Sequence, residues 1–262
     1  MAAKPKLGVW KFASCDGCQL SILDCEEELL AVAGALDIVD FREASSAIAP
    51  GPYDISLVEG SVTTPEDQQR IKEIRAESKL VIAIGACATA GGIQGLKNFA
   101  NVEDYKKTVY QHPEALKTLS TSTSIKENVT VDLELRGCPI SKYQLLEAVS
   151  SLLYKRAPNL PTETVCVECK RKGNVCVMVG YGTPCMGPVT QTGCGAICPS
   201  YNRGCYGCFG PQDTPNTASI SKDFAAKGMS PVAIKRFFRT FNANAAEFRA
   251  AADAAEPGRS PK

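Results

Sequence analysis

The sequence predicts an α/β chain, a doubly wound parallel sheet followed by a small, loop-rich domain. Three observations carry that prediction. Short apolar runs alternate with helix-like segments through the first half, two of those runs end in a glycine–cysteine turn, and beyond residue 157 the periodicity gives way to Gly, Pro and Cys. Alternating strand and helix signals mark a parallel sheet covered by helices, and the ligand sites of such sheets lie beyond the carboxyl ends of the strands. A length of 262 residues with 44% hydrophobic content suffices for one sizeable core and a smaller module, at roughly 100–200 residues per domain. The domains are expected at 1–157 and 158–262.

Taken in order, residues 6–12 read as the first strand and deliver the chain into Ser14-Cys15-Asp16-Gly17-Cys18. Residues 19–33 mix Leu20, Ile22, Leu23, Leu29, Leu30 and Val32 with acids, as a helix does. Further strands are expected at 38–41, 54–59, 80–84 and 131–135. Residues 64–79 open Thr64-Pro65-Glu66-Asp67 and read as a helix with Pro at its first position, where a missing N–H leaves no bond unmade. The strand at 80–84 runs into Gly85-Ala86-Cys87, and that at 131–135 into Arg136-Gly137-Cys138-Pro139. In a parallel sheet Cys15, Cys87 and Cys138 therefore converge, with Cys18, on one edge. Glycines beside them let backbone approach closely and turn N–H groups towards sulfur. Taken singly, each has a plainer reading: a lone Gly-Ala-Cys is a turn with a packed thiol, and Cys15-x-x-Cys18 suits a redox dithiol or half a zinc site.

Ala157-Pro158-Asn159-Leu160-Pro161 reads as a linker. Beyond it come Cys166, Cys169, Cys176, Cys185, Cys194, Cys198, Cys205 and Cys208, in a stretch with no room for an independent hydrophobic core. Small regions of that kind are held together by metal rather than by burial. Cys166-x-x-Cys169, Cys194-x-x-x-Cys198-Pro199 and Cys205-x-x-Cys208 have the short spacings by which thiolates reach one iron–sulfur cluster. Twelve of the thirteen cysteines would thus supply three four-cysteine sites, the equipment of a chain that moves electrons. Two zinc sites are the alternative for the eight. The Cys-Pro step after a close pair is more typical of ferredoxin-like ligation, and the segment has no histidine.

A formal net charge of +1 argues against nucleic acid as a partner, since such binders carry a basic excess. The opening residues show no apolar signal region, and no segment approaches the roughly 18 uninterrupted apolar residues of a membrane span. A cytoplasmic protein without a membrane span is expected. In a reducing compartment an odd number of cysteines favours metal over a disulfide framework.

Together these motifs resemble the small subunit of a nickel–iron hydrogenase, of the cytoplasmic multi-subunit delta type found in sulfhydrogenases and in NADP-, F420- or heterodisulfide-reductase-linked enzymes. The resemblance runs over roughly residues 5–212. It rests on Cys15-Asp16-Gly17-Cys18-Gln19, Gly85-Ala86-Cys87, Gly137-Cys138-Pro139, Val58-Glu59-Gly60-Ser61-Val62 and Pro184-Cys185-Met186-Gly187-Pro188-Val189-Thr190. It implies a flavodoxin-like first domain whose Cys15, Cys18, Cys87 and Cys138 hold the proximal cluster. It also implies a medial cluster on Cys194, Cys198, Cys205 and Cys208 and a distal one on Cys166, Cys169, Cys176 and Cys185. The periplasmic branch uses histidine as its first distal ligand and often lacks one medial cysteine. Here Cys166 and Cys198 stand at those positions, so all three clusters are expected to be 4Fe-4S. The resemblance places the nickel–iron centre on a separate large subunit, leaves no catalytic residue on this chain, and implies a flavin- or ferredoxin-like partner at the far end of the relay. A related respiratory NADH:quinone oxidoreductase subunit would carry only the N-terminal cluster, typically on adjacent cysteines. An FMN carrier would need a phosphate-binding turn where the first cysteines stand.

The remaining residues read more plainly. Cys25 is expected to be an inert packed thiol and His112 a solvated loop residue. Lys170-Arg171-Lys172 is read as a solvated loop, with docking of an acidic electron carrier as the other possibility. Trp10, Tyr201, Tyr206 and Phe209 would shield clusters or simply pack. Residues 230–254, with Val232, Ile234, Phe237, Phe238, Phe241 and Phe248, resemble an amphipathic helix, and a disordered tail is expected over 255–262.

Overall fold

The structure is a computed structural model that describes residues 4–255. The chain divides into two compact units, Met1–Leu146 and Glu147–Lys262.

The first unit is built on β1 (Lys6–Lys11), β2 (Asp37–Phe41), β3 (Tyr53–Glu59), β4 (Ser78–Ile84) and β5 (Leu133–Leu135). All neighbours are parallel and the order is β2-β1-β3-β4-β5. This is the flavodoxin-like doubly wound order, whose strand order reverses between β1 and β3. Leu7 pairs with Ile55, Val9 with Leu57, and Leu57 with Ile82. Such strands are buried on both faces, so residues 81–84 form an unbroken apolar run and Ile55, Leu57 and Val58 are interrupted only by Ser56, itself buried. Trp10, Phe12, Val58, Val62, Val81 and Ile125 share a core with Ile71 and Ile74 of α3 (Pro65–Glu77). That helix starts where Thr64 and Asp67 cap each other: Asp67 N donates to Thr64 Oγ1 at 3.1 Å and Thr64 N to the Asp67 carboxylate at 3.0 Å.

Two elements differ from expectation. The helix expected over 19–33 is two, α1 (Gly17–Leu23) and α2 (Glu27–Ala35), parted where Glu26 takes a φ of 46°. Acids favour a helix N-terminus, and Glu27 and Glu28 open the second helix. The fifth strand is shorter than 131–135, because the Asp132 carboxylate accepts the Val81 N–H at 2.7 Å in place of a ladder carbonyl. The unit is completed by α4 (Gly85–Ala90), α5 (Val102–Val109) and the start of α6 (Lys142–Leu153).

In the second unit α7 (Val165–Arg171), α8 (Val177–Gly180) and α9 (Ile197–Ser200) are short and carry the cysteines, followed by α10 (Thr217–Ala226), α11 (Pro231–Phe238) and α12 (Ala246–Ala255). Phe224, Phe238 and Phe248 are fully buried, with ring centroids 6.5 and 5.7 Å apart, and Val165, Val177, Met186, Val189 and Ala196 lie in the same core. The cysteine stretch therefore rests on a core supplied by the helices beyond it. The expected single helix over 230–254 is broken at 239–245. There the Asn242 Nδ2, buried, donates to Gly207 O at 2.9 Å and Cys208 O at 3.0 Å, bonds that a helical turn would not reach. Ala255, the first residue of the tail expected to be disordered over 255–262, instead ends α12, and the rest of that tail lies outside the described residues.

Candidate metal-binding sites

In the first unit the chain leaves β1, β4 and β5 on the same side of the sheet, and each exit bears a thiol. Cys15 and Cys18 flank the start of α1, Cys87 lies in α4, and Cys138 follows β5. Ala86 N donates to Gly137 O at 2.8 Å, which ties the two glycine–cysteine turns together. A Cβ on Gly17 would lie 3.3 Å from the Cys15 sulfur and 3.7 Å from Pro139, so the first loop meets the third. The four share one neighbourhood, since Cys15 acts on Cys87 and Cys138 and both of those act on Cys18. Burial pushes the Cys18 thiol far up, with Glu59, Cys87 and Cys138 adding to it; burial lifts Cys87 to about 11, and Cys138 rises through burial and the charge of Cys15. Buried thiols resist ionisation, so a cation must stabilise the thiolates that bind it.

The surroundings fit a bulky multi-sulfur group. A Cβ on Gly85, at φ +94°, would come within 2.5 Å of the Cys18 sulfur, and one on Gly92, at φ +62°, within 2.6 Å of the Cys87 sulfur. Only glycine leaves that cradle open and accepts those angles. Glu59, buried at the end of β3, accepts from Cys18 N at 3.0 Å and Gln19 Nε2 at 2.7 Å. Gln94 donates to Ala13 O at 2.6 Å while its oxygen accepts from Cys87 Sγ at 3.5 Å. Asp16, at φ 65° inside the first loop, is held by Lys11 Nζ at 2.6 Å. Gln94 and Lys11 escape sequence reasoning, because a lone Gln or Lys carries no spacing signal. Glu59 lies in one of the resembling segments.

In the second unit Cys166, Cys169, Cys176 and Cys185 share one neighbourhood. Burial first, and then the charges of Cys185, Cys169 and Cys176, raise Cys166 to about 11. Gly187 N donates to Cys185 Sγ at 3.4 Å, and a Cβ on Gly187 would stand 3.3 and 3.5 Å from the sulfurs of Cys185 and Cys166. The other four come as two pairs, Cys194 with Cys198 and Cys205 with Cys208, each close enough for one thiol to raise its neighbour. Arg203 N donates to Cys198 O at 3.0 Å, bringing the Cys205 turn round to the Cys198 turn. The two sets adjoin: Cys205 N donates to Cys185 Sγ at 3.1 Å. Glu168 accepts from Ala196 N at 3.1 Å and so fastens the Cys194 loop to α7.

The remaining residues resolve simply. Cys25 is buried, its thiol 3.6 Å from Ser21 O. His112 is exposed beside Glu114 at 3.2 Å. Trp10 packs edge-on against Tyr53 and donates to Ser56 Oγ at 3.0 Å, Phe209 is buried, and Tyr201 is exposed. Among the described residues no helix is long and apolar enough to cross a membrane.

A flavodoxin-like sheet with thiols at its carboxyl edge, followed by a thiol-dense helical unit, defines a class of redox-complex subunit. The chain belongs to the family described as NADH ubiquinone oxidoreductase, 20 Kd subunit, which matches residues 15–152. Relatives along nearly the whole chain are hydrogenase subunits. It is 33% identical over 239 residues to the delta subunit of sulfhydrogenase 2 of Pyrococcus furiosus, covering 90% of this chain and 98% of that one. It is 34% identical over 273 residues to a subunit of the F420-non-reducing hydrogenase vhu of Methanococcus voltae, covering 92% and 95%. Among solved structures it matches a chain of an NAD+-reducing NiFe-hydrogenase in the H2-reduced state, with a TM-score of 0.56 and 27% identity over 61% of this chain and 96% of that chain. The chain is thus a hydrogenase-type subunit of an oxidoreductase, as its motifs led us to expect.

Proposed function

We propose that the chain is the electron-transferring small subunit of a cytoplasmic nickel–iron hydrogenase. It relays electrons between a large subunit that bears the nickel–iron site and a flavin- or ferredoxin-like partner, through three 4Fe-4S clusters. The observation that carries this reading is the convergence of Cys15, Cys18, Cys87 and Cys138 from three separate strand exits around a glycine-lined cradle. In this reading those four hold the proximal cluster within domain 1–157. Cys194, Cys198, Cys205 and Cys208 hold the medial cluster, and Cys166, Cys169, Cys176 and Cys185 the distal one, within 158–262. Each cluster, when bound, supplies a reversible one-electron step. The chain's own part is to fix the sulfurs, exclude water and aim N–H groups at them: Gly187 N and Cys205 N both point at the Cys185 sulfur, and such bonds are a lever on cluster potential. The match of residues 15–152 to the respiratory subunit family stops short of the eight later thiols, which the hydrogenase relatives' span includes.

The test is iron, zinc and acid-labile sulfide per chain on anaerobically purified protein, with reduced-state EPR. About twelve irons with matching sulfide are expected from three four-cysteine cubanes; zinc without sulfide overturns the reading. Cys198→Ala should then remove one cluster signal and slow delivery to the terminal acceptor, while hydrogen–deuterium exchange at the large subunit persists.

A further inference from the structure

We propose that the surface around Cys176 is the docking site for an acidic protein carrying a one-electron centre, and that electrons cross there. This rests on the relay reading and adds where the carrier binds and what charge it bears.

Among the described residues Cys176 is the exposed one of the eight C-terminal thiols. It stands at the start of α8 amid apolar side chains that nothing in this unit covers. Val175 is 58% exposed, Val179 87% and Tyr181 58%. Val175 lies against the α8 backbone, its Cγ1 only 2.9 Å from where a Cβ on Gly180 would stand, so it flanks the thiol as one wall of the patch. The Asn174 Nδ2 donates to Ser200 Oγ at 3.0 Å, joining this loop to the end of α9. Ile197, 57% exposed, and Tyr201, 76% exposed, extend the apolar surface there.

The rim is basic. Lys170, Arg171 and Lys172 close α7 and are exposed. Arg171 reaches Glu163 at 3.4 Å, and the Lys172 ammonium lies 3.3 Å from where a Cβ on Gly195 would stand, spanning towards the Cys194 loop. Arg203 lies over Tyr206 at 5.7 Å. Of the acids in this region, Glu163 is paired with Arg171 and Glu168 is turned inward onto Ala196 N. The near-neutral chain conceals a strong asymmetry: residues 147–262 carry 14 Lys and Arg against 8 Asp and Glu, whereas residues 1–146 carry 15 against 20. An apolar centre with a basic rim beside an exposed cluster ligand favours an acidic carrier, steers its approach and repels a basic one. The patch is modest, as suits a transient electron-transfer encounter. The step is outer-sphere: the reduced carrier loses one electron, the cluster held by the Cys166 set gains it, and no proton or group moves; the reverse step is its mirror.

The test uses the oxidised, cluster-loaded protein mixed in a stopped-flow with reduced plant-type ferredoxin, an acidic probe, and separately with reduced methyl viologen, a small cation. The ferredoxin rate should fall about tenfold from low to high salt, and about tenfold at low salt in Lys170→Glu/Lys172→Glu, as for steered association. Val179→Asp should also slow it. The viologen rate should not fall in the charge-reversed variant, whose iron content and EPR signals should match the parent. Transfer from ferredoxin that is absent, or indifferent to salt and to charge reversal while clusters are present, overturns the docking site and leaves the relay standing. A protein without cluster signals overturns both.

Discussion

The four thiols of the first unit come from positions as far apart as 15 and 138 and are gathered by strand ends, whereas the eight of the second fall between residues 166 and 208 and are held by short helical turns over a phenylalanine core. In the first, a parallel sheet with its own buried faces sets the backbone, and the site is a consequence of topology. In the second, the regular elements of the cysteine stretch are short helical turns, and the thiols are spread along them and the loops between. A site carried on a scaffold differs from a site that is itself part of the scaffold. Metal binding contributes folding free energy only where the unliganded segment cannot order itself.

The largest expected effect tests that contrast directly. Anaerobic chelation of iron should leave the amides of β1, β3 and β4 protected in hydrogen exchange while those of residues 165–208 lose protection; equal loss in both units would erase the distinction. Next, in the proposed three-cluster protein, Gly85→Ala should cost the first site its cluster, about four of the twelve irons that reading expects, without unfolding the sheet. The added methyl meets the Cys18 sulfur and strains a residue at φ +94°, and iron analysis with circular dichroism separates the two outcomes. Asn242→Ala leaves the carbonyls of Gly207 and Cys208 without its two buried bonds. A loss of about 2 kcal/mol, together with a weakened EPR signal from the Cys205 and Cys208 cluster, is expected in the second unit alone. Thr64→Ala, which removes half of a reciprocal cap, should lower stability by about 1 kcal/mol and leave every cluster signal unchanged. A final effect belongs to the first unit alone. Cys87, in the sheet unit that is expected to stay folded without iron, is raised by burial to about 11. A raised pKa means the folded metal-free chain holds the proton more tightly. Its contribution to stability is present below the ordinary thiol value and is lost as pH climbs from about 9 to 11; denaturant midpoints of the metal-free protein across that range check the sign.

Much of this was legible in the residues. The apolar runs announced β1, β2, β3 and β4 almost to the residue, because strands buried on both faces need continuous hydrophobicity. Thr64-Pro65 announced α3, because capping chemistry is local. The gathering of Cys15, Cys18, Cys87 and Cys138 followed from the strand ends that bear them. The break at Glu26 was not legible, since the leucines on either side keep a helical spacing, and neither was the break at 239–245. There a side-chain amide satisfies carbonyls more than thirty residues earlier, and no local pattern encodes such a bond.

The sequence by itself therefore determined the sheet, its thiol-bearing turns and the family to which the chain belongs, all of which rest on short-range periodicity and on residue types with few other uses at those spacings. Tertiary structure alone decided that Gln94 lies beside the Cys87 sulfur, that Cys205 N–H meets Cys185, that the C-terminal phenylalanines supply the cysteine stretch with its core, and that Cys176 opens onto a basic, apolar surface. Those relations join residues remote in the chain. They depend on how buried side chains fill space together, and that is fixed only when the whole unit is closed.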